Sequence, residues 1–498
     1  MVERPIIGDR TATADTVRME LHRSGQLQRD AGSFRDRNNR VFDDGTRIVR
    51  GISEAAFENW LLVSREPFFS DLVAEGKLVA TDLLDGSEVA DIGESWHAYL
   101  VHDRIPFVTY PYEWPFGMLK DAARLYLEIL QRAVAAGWTM KDASAYNVQW
   151  VGARPVFIDI PSLEPHRPGT PWVGYRQFCM MFLNPLMLQA YRGIDYRPFL
   201  RGSLEGIDPQ TASRILSGLA RFRKGVLGHV FLHSRMDRKY ADKDLDHAKS
   251  LTENGEKNVA RNTIFTQSSA MILGTIDGLR RTVEKLEIAD IRTTWGSYDT
   301  DHSYSEVALA AKKAFVENCV RLRRRRMVWD LGCNTGVFSR IAAGNADYVV
   351  AVDGDNKAVE RLYREIKQSG PSNILPLVID LGNASPDQGW RGRERKALER
   401  RGRPDLILCL ALIHHLVITA NIPVAEFVDW LREFDSEVVL EWVGPKDDLT
   451  QMLLRNRVNQ YADLAADKFE KTIAERFRIA AAEDLKGGSR KVYHLLPR

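Results

Sequence analysis

Asp330-x-Gly332-x-x-x-Gly336 ends one apolar run (Val328–Asp330) and precedes a helix-like segment (Val337–Ala343). A strand is thus joined to a helix through a turn of small residues, the place where open α/β sheets bind nucleotide-like ligands. The next apolar run, Tyr348–Val352, ends in Asp353, which lies 353 − 330 = 23 positions after the first acid. A carboxylate there is placed to accept both hydroxyls of a ribose. A third run ends in Asp380-Leu381, and a fourth passes from Asp405 through Leu410 to His414-His415-Leu416. A dinucleotide fingerprint needs a glycine where this chain has Asn334, because the pyrophosphate must approach the backbone there. The pattern therefore favours a nucleoside-bearing cofactor without a pyrophosphate. Its candidate binding residues are Asp330, Gly332, Cys333, Asn334, Gly336, Asp353, Gly354, Asp380, Leu381 and Leu410. The competing account is that each acid only caps a strand or a helix.

Transfer of a group to a hydroxyl needs a base, and His414 and His415 are the candidates. Neighbouring strand residues point to opposite faces, so one of the two at most faces a substrate while the strand persists. Packing or hydrogen bonding is the alternative role. Glu441, Trp442 and Lys446-Asp447 follow the fifth run and reach the same rim. The basic segments Arg321–Arg326 and Arg391–Arg403 suit an anionic substrate, but Glu394 and Glu399 make the second read as a solvated helix with i,i+4 pairs. A second constellation, Asp142-x4-Asn147-x11-Asp159, lies in the N-terminal half. Its plain account is a hydrogen-bonded turn followed by a strand end.

The elements that position these groups differ between the two halves. Residues 41–290 are rich in Trp, Tyr, Phe and Pro, and their second part is mostly helical. Leu119–Ala136 has apolar residues at helical spacing, and Thr211–Val226 and Asn262–Leu286 read the same way. Met180–Tyr191 reads as a buried helix kinked at Asn184-Pro185, too short to span a bilayer. Arg238–Asn258 reads as a loop or an exposed helix end. From about Arg292, strands alternate with helices: Met327–Leu331, Tyr348–Val352, Ile374–Ile379, Leu406–Ala411 and Glu437–Trp442, with Arg476–Ala482 and Lys491–Leu496 as a last antiparallel pair. This predicts a mostly parallel sheet of βαβ units, with a domain boundary near residue 290 and a polar arm over residues 1–40.

The ordered acids and glycines resemble the class I S-adenosylmethionine (SAM)-dependent methyltransferases over roughly Arg292–Arg498. That resemblance implies a Rossmann-like domain with a mostly parallel seven-stranded sheet. It also implies SAM as cofactor, with Asp353 at the ribose, Asp380 at the adenine, and Asp330 and the N–H groups after Gly332 at the methionine part. Trp295, Tyr298, Tyr304 and Ser305 fall where such enzymes close aromatics over the cofactor; a linker contact is the alternative. Asp142, Asn147 and Asp159, with Pro106–Trp114 as a hinge, are similar to the catalytic loop and metal-binding Asp of protein-kinase-like folds. There the first Asp orients an acceptor hydroxyl and the other two hold Mg2+ beside ATP. Three departures stand out: no Gly-rich loop before residue 100, no assignable strand lysine, and Ile-Pro after Asp159. Over residues 41–498 the chain resembles a bacterial family of long SAM-dependent methyltransferases that includes rhizobial nodulation proteins of the NoeA type. This implies methyl transfer to a carbohydrate or other small hydroxylated acceptor that the N-terminal part selects. Mg2+/ATP-dependent phosphotransfer and a non-catalytic SAM-binding scaffold are the alternatives.

Composition narrows the partners. A net charge of +2 gives no whole-chain reason to expect nucleic acid or acidic membranes. Cys179, Cys319, Cys333 and Cys409 include no Cys-x-x-Cys pair, which argues against a zinc site or a disulfide framework and for the reducing cytoplasm. Residues 1–40 have no apolar signal-peptide core.

Overall fold

The computed structural model describes residues 27–84, 94–235, 267–288, 305–455 and 461–498. The chain divides into two compact units, Met1–Leu62 with Val79–Arg104, and Val63–Leu78 with Ile105–Arg498. The expected arm, the boundary near residue 290, and Arg238–Asn258 fall largely or wholly outside the described residues.

The first unit is built on a five-stranded antiparallel sheet in the order β1-β2-β3-β5-β4 (β1 Gln28–Arg29, β2 Asn39–Asp43, β3 Ile48–Ile52, β4 Thr81–Leu84, β5 Ala98–His102). Phe42, Val49 and Leu84 form its core, with Trp96, Tyr99 and Val101 packed on them.

The second unit has a helical part and a sheet part. The helical part is organised around α1 (Phe116–Ala135), which starts after Pro115 and stops at Gly137, where φ is +84°. Leu119, Ala122, Leu125, Ile129, Leu130 and Ala133 lie buried at helical spacing, as the sequence predicts. Two short antiparallel pairs, β6 (Trp138–Met140) with β9 (Leu163–Pro165) and the hairpin β7 (Val148–Val151) with β8 (Arg154–Phe157), carry the Asp142–Asp159 region. At Asn184-Pro185 a buried π-helical turn, Cys179–Leu183, runs directly into the helix Asn184–Arg192. The helix predicted over Thr211–Val226 breaks after Ile215, because Gly218 and Gly225 take left-handed conformations that end helical turns. The short helix α2 (Arg197–Gly202) and the long α3 (Ser269–Glu284) complete this part.

The sheet part contains β10 (Arg325–Leu331), β11 (Ala346–Asp353), β12 (Ile374–Val378), β13 (Leu406–Cys409), β14 (Glu437–Val443), β15 (Phe477–Asp484) and β16 (Arg490–Pro497). They form one seven-stranded sheet in the order β12-β11-β10-β13-β14-β16-β15. The first five in sequence are mutually parallel, and β16 runs antiparallel to both of its neighbours. Counted from β10 the order is 3-2-1-4-5-7-6, a doubly wound sheet whose switch point lies between β10 and β13. All seven predicted strands are present, and the fold is the Rossmann-like α/β fold that was expected. Helix α4 (Glu306–Arg321) leads into β10, and α5 (Val337–Ala343), α6 (Asn356–Ser369), α7 (Val424–Glu433), α8 (Asp448–Leu454) and α9 (Ala466–Arg476) lie between later strands. Val328, Val349, Ala351, Leu408 and Val439 of the sheet pack with Val316, Cys319 and Leu362 of the helices.

Arg391–Arg403 is not a solvated helix. It forms two 3-10 turns, Trp390–Gly392 and Leu398–Arg400, because its charges are used locally and across the unit. Glu394 accepts from Trp390 N at 2.6 Å and Glu399 from Trp430 Nε1 at 3.1 Å. Arg401 is buried and makes a two-pronged pair with Glu113 of the helical part at 2.6 and 2.7 Å. Further bonds join the two parts: Gly117 N to Glu360 (2.7 Å), Tyr363 Oη to Asp121 (2.6 Å) and Gly152 N to Tyr348 Oη (2.9 Å).

Candidate active site at the carboxyl ends of the parallel strands

The four ligand-type segments of the sequence meet at the carboxyl edge of β10–β13. Gly332, Asn334 and Gly336 all have positive φ (+79°, +48° and +81°). This lets the chain reverse from strand to helix in five residues. Gly336 is doubly constrained, since a Cβ there would lie 2.5 Å from Leu362 Cδ1 of α6. Gly332 faces Leu412, which brings the loop after β13 against the loop after β10. Gly354 likewise lies beside Asp380, whose Cα would be 3.9 Å from an added Cβ.

Asp353 is the best-prepared ligand group. Its Oδ2 accepts from Asn334 N and its Oδ1 from Asp355 N, each at 2.8 Å. Each oxygen keeps acceptor capacity, which suits a vicinal diol. Burial raises its pKa against the pull of those backbone N–H groups. The backbone N–H groups of Gly332 and Cys333 donate to Val352 O at 2.8 and 2.9 Å. Cys333 N and Asn334 N are therefore spent inside the protein, which departs from their expected use on an anionic group of the ligand.

Asp330 is fully buried and accepts from Ser339 Oγ of α5 at 2.6 Å. Burial, with the charge of Asp353 adding to it, lifts its pKa to about 6. Its direct role is thus to tie the strand end to the helix start. The Cys333 thiol is held well above its usual range by burial and the nearby carboxylates. Asp380 is exposed and caps the turn Leu381–Asn383 by accepting from Gly382 N at 2.9 Å. Leu410 is buried at the end of β13.

His414 and His415 do not sit on a strand. β13 stops at Cys409, Ala411 takes φ +52°, and both histidines lie in a helical turn that continues to Thr419. Strand alternation does not apply to them; their rings lie 4.1 Å apart at 40° instead. His414 is fully buried, with neither ring nitrogen hydrogen-bonded among the described residues. His415 is partly exposed. Burial first, then neighbouring positive charge including Arg490, lowers the pKa of both, so both rings are neutral at pH 7.

Glu441 and Asp447 are buried rather than exposed on the rim. Lys312 Nζ lies 2.6 Å from Glu441 Oε2, and Arg490 donates to Asp447 from Nε (2.7 Å) and Nη2 (2.9 Å). Trp442 donates to Leu464 O. Sequence reasoning did not find Ser339, Lys312 or Arg490. Ser339 follows Gly336 by 339 − 336 = 3 positions and was legible as a helix-start hydroxyl; Lys312 and Arg490 carry no local signal.

The other constellation also assembles. Asn147 Nδ2 donates to Asp142 Oδ1 at 3.0 Å and approaches Asp159 Oδ2 at 3.4 Å. Among the described residues no group of three or more His, Cys, Asp or Glu is arranged to hold a metal ion. Trp295, Tyr298 and Tyr304 lie outside the described residues, and Ser305 caps α4 by accepting from Ala308 N.

No family model matches the chain. The nodulation protein NoeA of Rhizobium meliloti (strain 1021) is 32% identical over 466 residues, 93% of this chain and 95% of that protein. The chain belongs to the NoeA nodulation-protein family. Its sheet part has a Rossmann-like α/β fold, seen in the strand order and in the loops at the switch point. Solved structures give low TM-scores. The N-methyltransferase NodS of Bradyrhizobium japonicum WM9 matches at 0.29, with 13% identity over 39% of this chain and 99% of that one. Magnesium protoporphyrin IX methyltransferase of Synechocystis PCC 6803, with bound SAM, matches at 0.27, with 16% identity over 42% and 86%. The bifunctional kinase-methyltransferase WbdD matches at 0.28, with 16% identity over 41% and 43%. No helix among the described residues is long and apolar enough to cross a membrane.

Proposed function

We propose that this family member transfers the methyl group of SAM to a hydroxyl of a carbohydrate or similarly hydroxylated small acceptor. The observation that carries the cofactor reading is Asp353: each oxygen accepts a backbone N–H and keeps acceptor capacity for a ribose hydroxyl. The loop supports SAM over a dinucleotide, because two of its N–H groups are already consumed and Asn334 fills the glycine position. When bound, SAM supplies an electrophilic methyl group and leaves as S-adenosylhomocysteine. Asp353 would hold the ribose, and the Gly354 and Asp380–Leu381 turns would border the adenine. Asp330 would add negative charge beneath a cationic ligand.

His415 is the proposed base. It is neutral, partly exposed and backed by the His414 ring, so it can take the acceptor's hydroxyl proton as the oxygen–carbon bond forms. Reading the acceptor as a hydroxyl rests on this neutral imidazole. Calorimetric titration with SAM tests the cofactor: micromolar-range binding is expected in the wild type and at least about 100-fold weaker binding in Asp353→Ala, because two charge-assisted bonds are lost. Equal binding by the two proteins would sink the reading.

Mg2+/ATP-dependent phosphotransfer is the second reading, and the bridge from Asn147 to Asp142 and Asp159 favours it. A thermal shift with ATP and Mg2+ that Asp159→Asn removes would support it; no shift would count against it. Accumulation of S-adenosylhomocysteine when the enzyme is incubated with cell extract would exclude a non-catalytic scaffold.

A further inference from the structure

The turn that borders the adenine in the reading above is held from outside the methyltransferase sheet. Arg201, in α2 of the helical part, donates from Nη1 to Asn383 O at 2.8 Å. Its Nη2 donates to Ala384 O at 2.9 Å and to Asn383 Oδ1 at 3.2 Å. Gln388 Nε2 returns a bond to Arg201 O at 3.0 Å. Next in the chain, Ser385 Oγ donates to Tyr112 Oη at 3.1 Å. Asp387 and Gln388 are held within the sheet part, by Ala397 N and by a bridge to Arg395, but residues 380–384 join no strand, and the bonds inside their turn are Asp380 to Gly382 N and Asn383 N to Asp380 O among the described residues. The Asn383 and Ala384 carbonyls of this half-exposed turn are bonded by the guanidinium fork.

We propose that Arg201 is a positioning residue for the cofactor: by fixing Asn383 and Ala384 it sets the Asp380–Leu381 turn for the adenine, so the helical part completes a SAM pocket that the methyltransferase sheet alone leaves loose. The inference rests on the SAM reading. Arginine suits this job because one planar group serves three acceptors in fixed directions; lysine has a single nitrogen and cannot span them. The Arg201 side-chain bonds fall on Asn383 and Ala384, so its effect is expected on the adenine side.

The test uses the full chain. SAM and 5′-methylthioadenosine, which keeps the adenine and lacks the amino-acid part, are titrated into wild type, Arg201→Ala, Arg201→Lys and Tyr363→Phe. Tyr363→Phe removes another bond between the two parts, the one to Asp121, away from the turn. Arg201→Ala is expected to bind both ligands about five- to thirty-fold more weakly, the range for losing charge-assisted bonds at a partly exposed site. Arg201→Lys should recover only part of this, and Tyr363→Phe should stay within about two-fold of wild type. Hydrogen exchange should quicken at residues 381–385 in Arg201→Ala and stay unchanged at 332–336. Wild-type binding with equal binding by Arg201→Ala overturns this inference and leaves the SAM reading intact. Equal weakening by Tyr363→Phe overturns it in favour of general docking of the two parts. No SAM binding by the wild type removes both.

Discussion

Replacing Asp330 by Asn tests the electrostatics of the site most directly. Asp330 is fully buried, accepts the Ser339 hydroxyl, and has its pKa raised to about 6 from 3.8. A raised carboxyl favours its neutral form in the folded protein. It therefore withdraws stability as pH climbs from about 4 to about 6, by at most about 3 kcal/mol at 1.36 kcal/mol per unit. Above pH 6 that cost is constant. A cationic ligand close by would favour the ionised form, so SAM binding should expel the proton that Asp330 still holds. At pH 6 the group is half-protonated, and binding should release about half a proton; at pH 8 it should release about 0.01. SAM affinity should weaken by about ten-fold between pH 7 and pH 5, where only about one site in eleven is ionised. The assay is calorimetric titration in two buffers of different ionisation enthalpy at pH 6 and pH 8. His414 and His415 can also titrate at the low end, so the deciding quantity is the difference between wild type and Asp330→Asn. Asn keeps an acceptor for Ser339 and cannot change charge. If the two proteins show the same proton release at pH 6, the carboxyl is not being pushed into its charged form by the ligand, and the argument for Asp330 beneath the cation fails.

Three further expectations concern Arg401 and His415. Arg401→Ala should destabilise the second unit by about 3–5 kcal/mol, because it strands Glu113 as an unpaired buried charge; a thermal melt of the variant beside Arg401→Met with Glu113→Gln checks this, and the double variant should recover most of the loss. His415→Ala should lower S-adenosylhomocysteine formation with cell extract by about 10²–10⁴-fold, the usual contribution of a general base, with SAM affinity retained. Because the pKa of His415 is lowered, wild-type activity should be flat from pH 8 down to pH 6.5 and fall only below it, which a pH profile at saturating SAM would show.

The strands around the switch point were legible because each is a run of apolar residues closed by an acid or a turn: buried parallel strands need such runs on both faces. The Asp330–Gly336 loop, Asp353 and Asp380 were legible for a related reason. Each acts within a few residues of its own strand end, so spacing along the chain maps onto spacing in the sheet. The failures share the opposite property. The Arg391–Arg403 segment satisfied the local rule for a charged helix, but Arg401 found Glu113 at a separation of 401 − 113 = 288 positions, and burial of that pair outweighed local propensity. The strand assignment of His414 and His415 failed at Ala411, whose left-handed backbone has no residue-type signal.

The sequence by itself therefore determined the sheet, its first loop and the order in which the acids arrive at one edge. Those depend on periodicity, turn chemistry and short-range spacing. Only the tertiary structure decided that Asp330 is buried against Ser339, that Asp353 is aimed by Asn334 and Asp355, and that Lys312, Glu441, Arg490 and Asp447 lie buried in paired charges. It also decided that Arg201 reaches Asn383. A side chain's charge state and its partner are set by what surrounds it in space, and for these residues those surroundings come from distant parts of the chain.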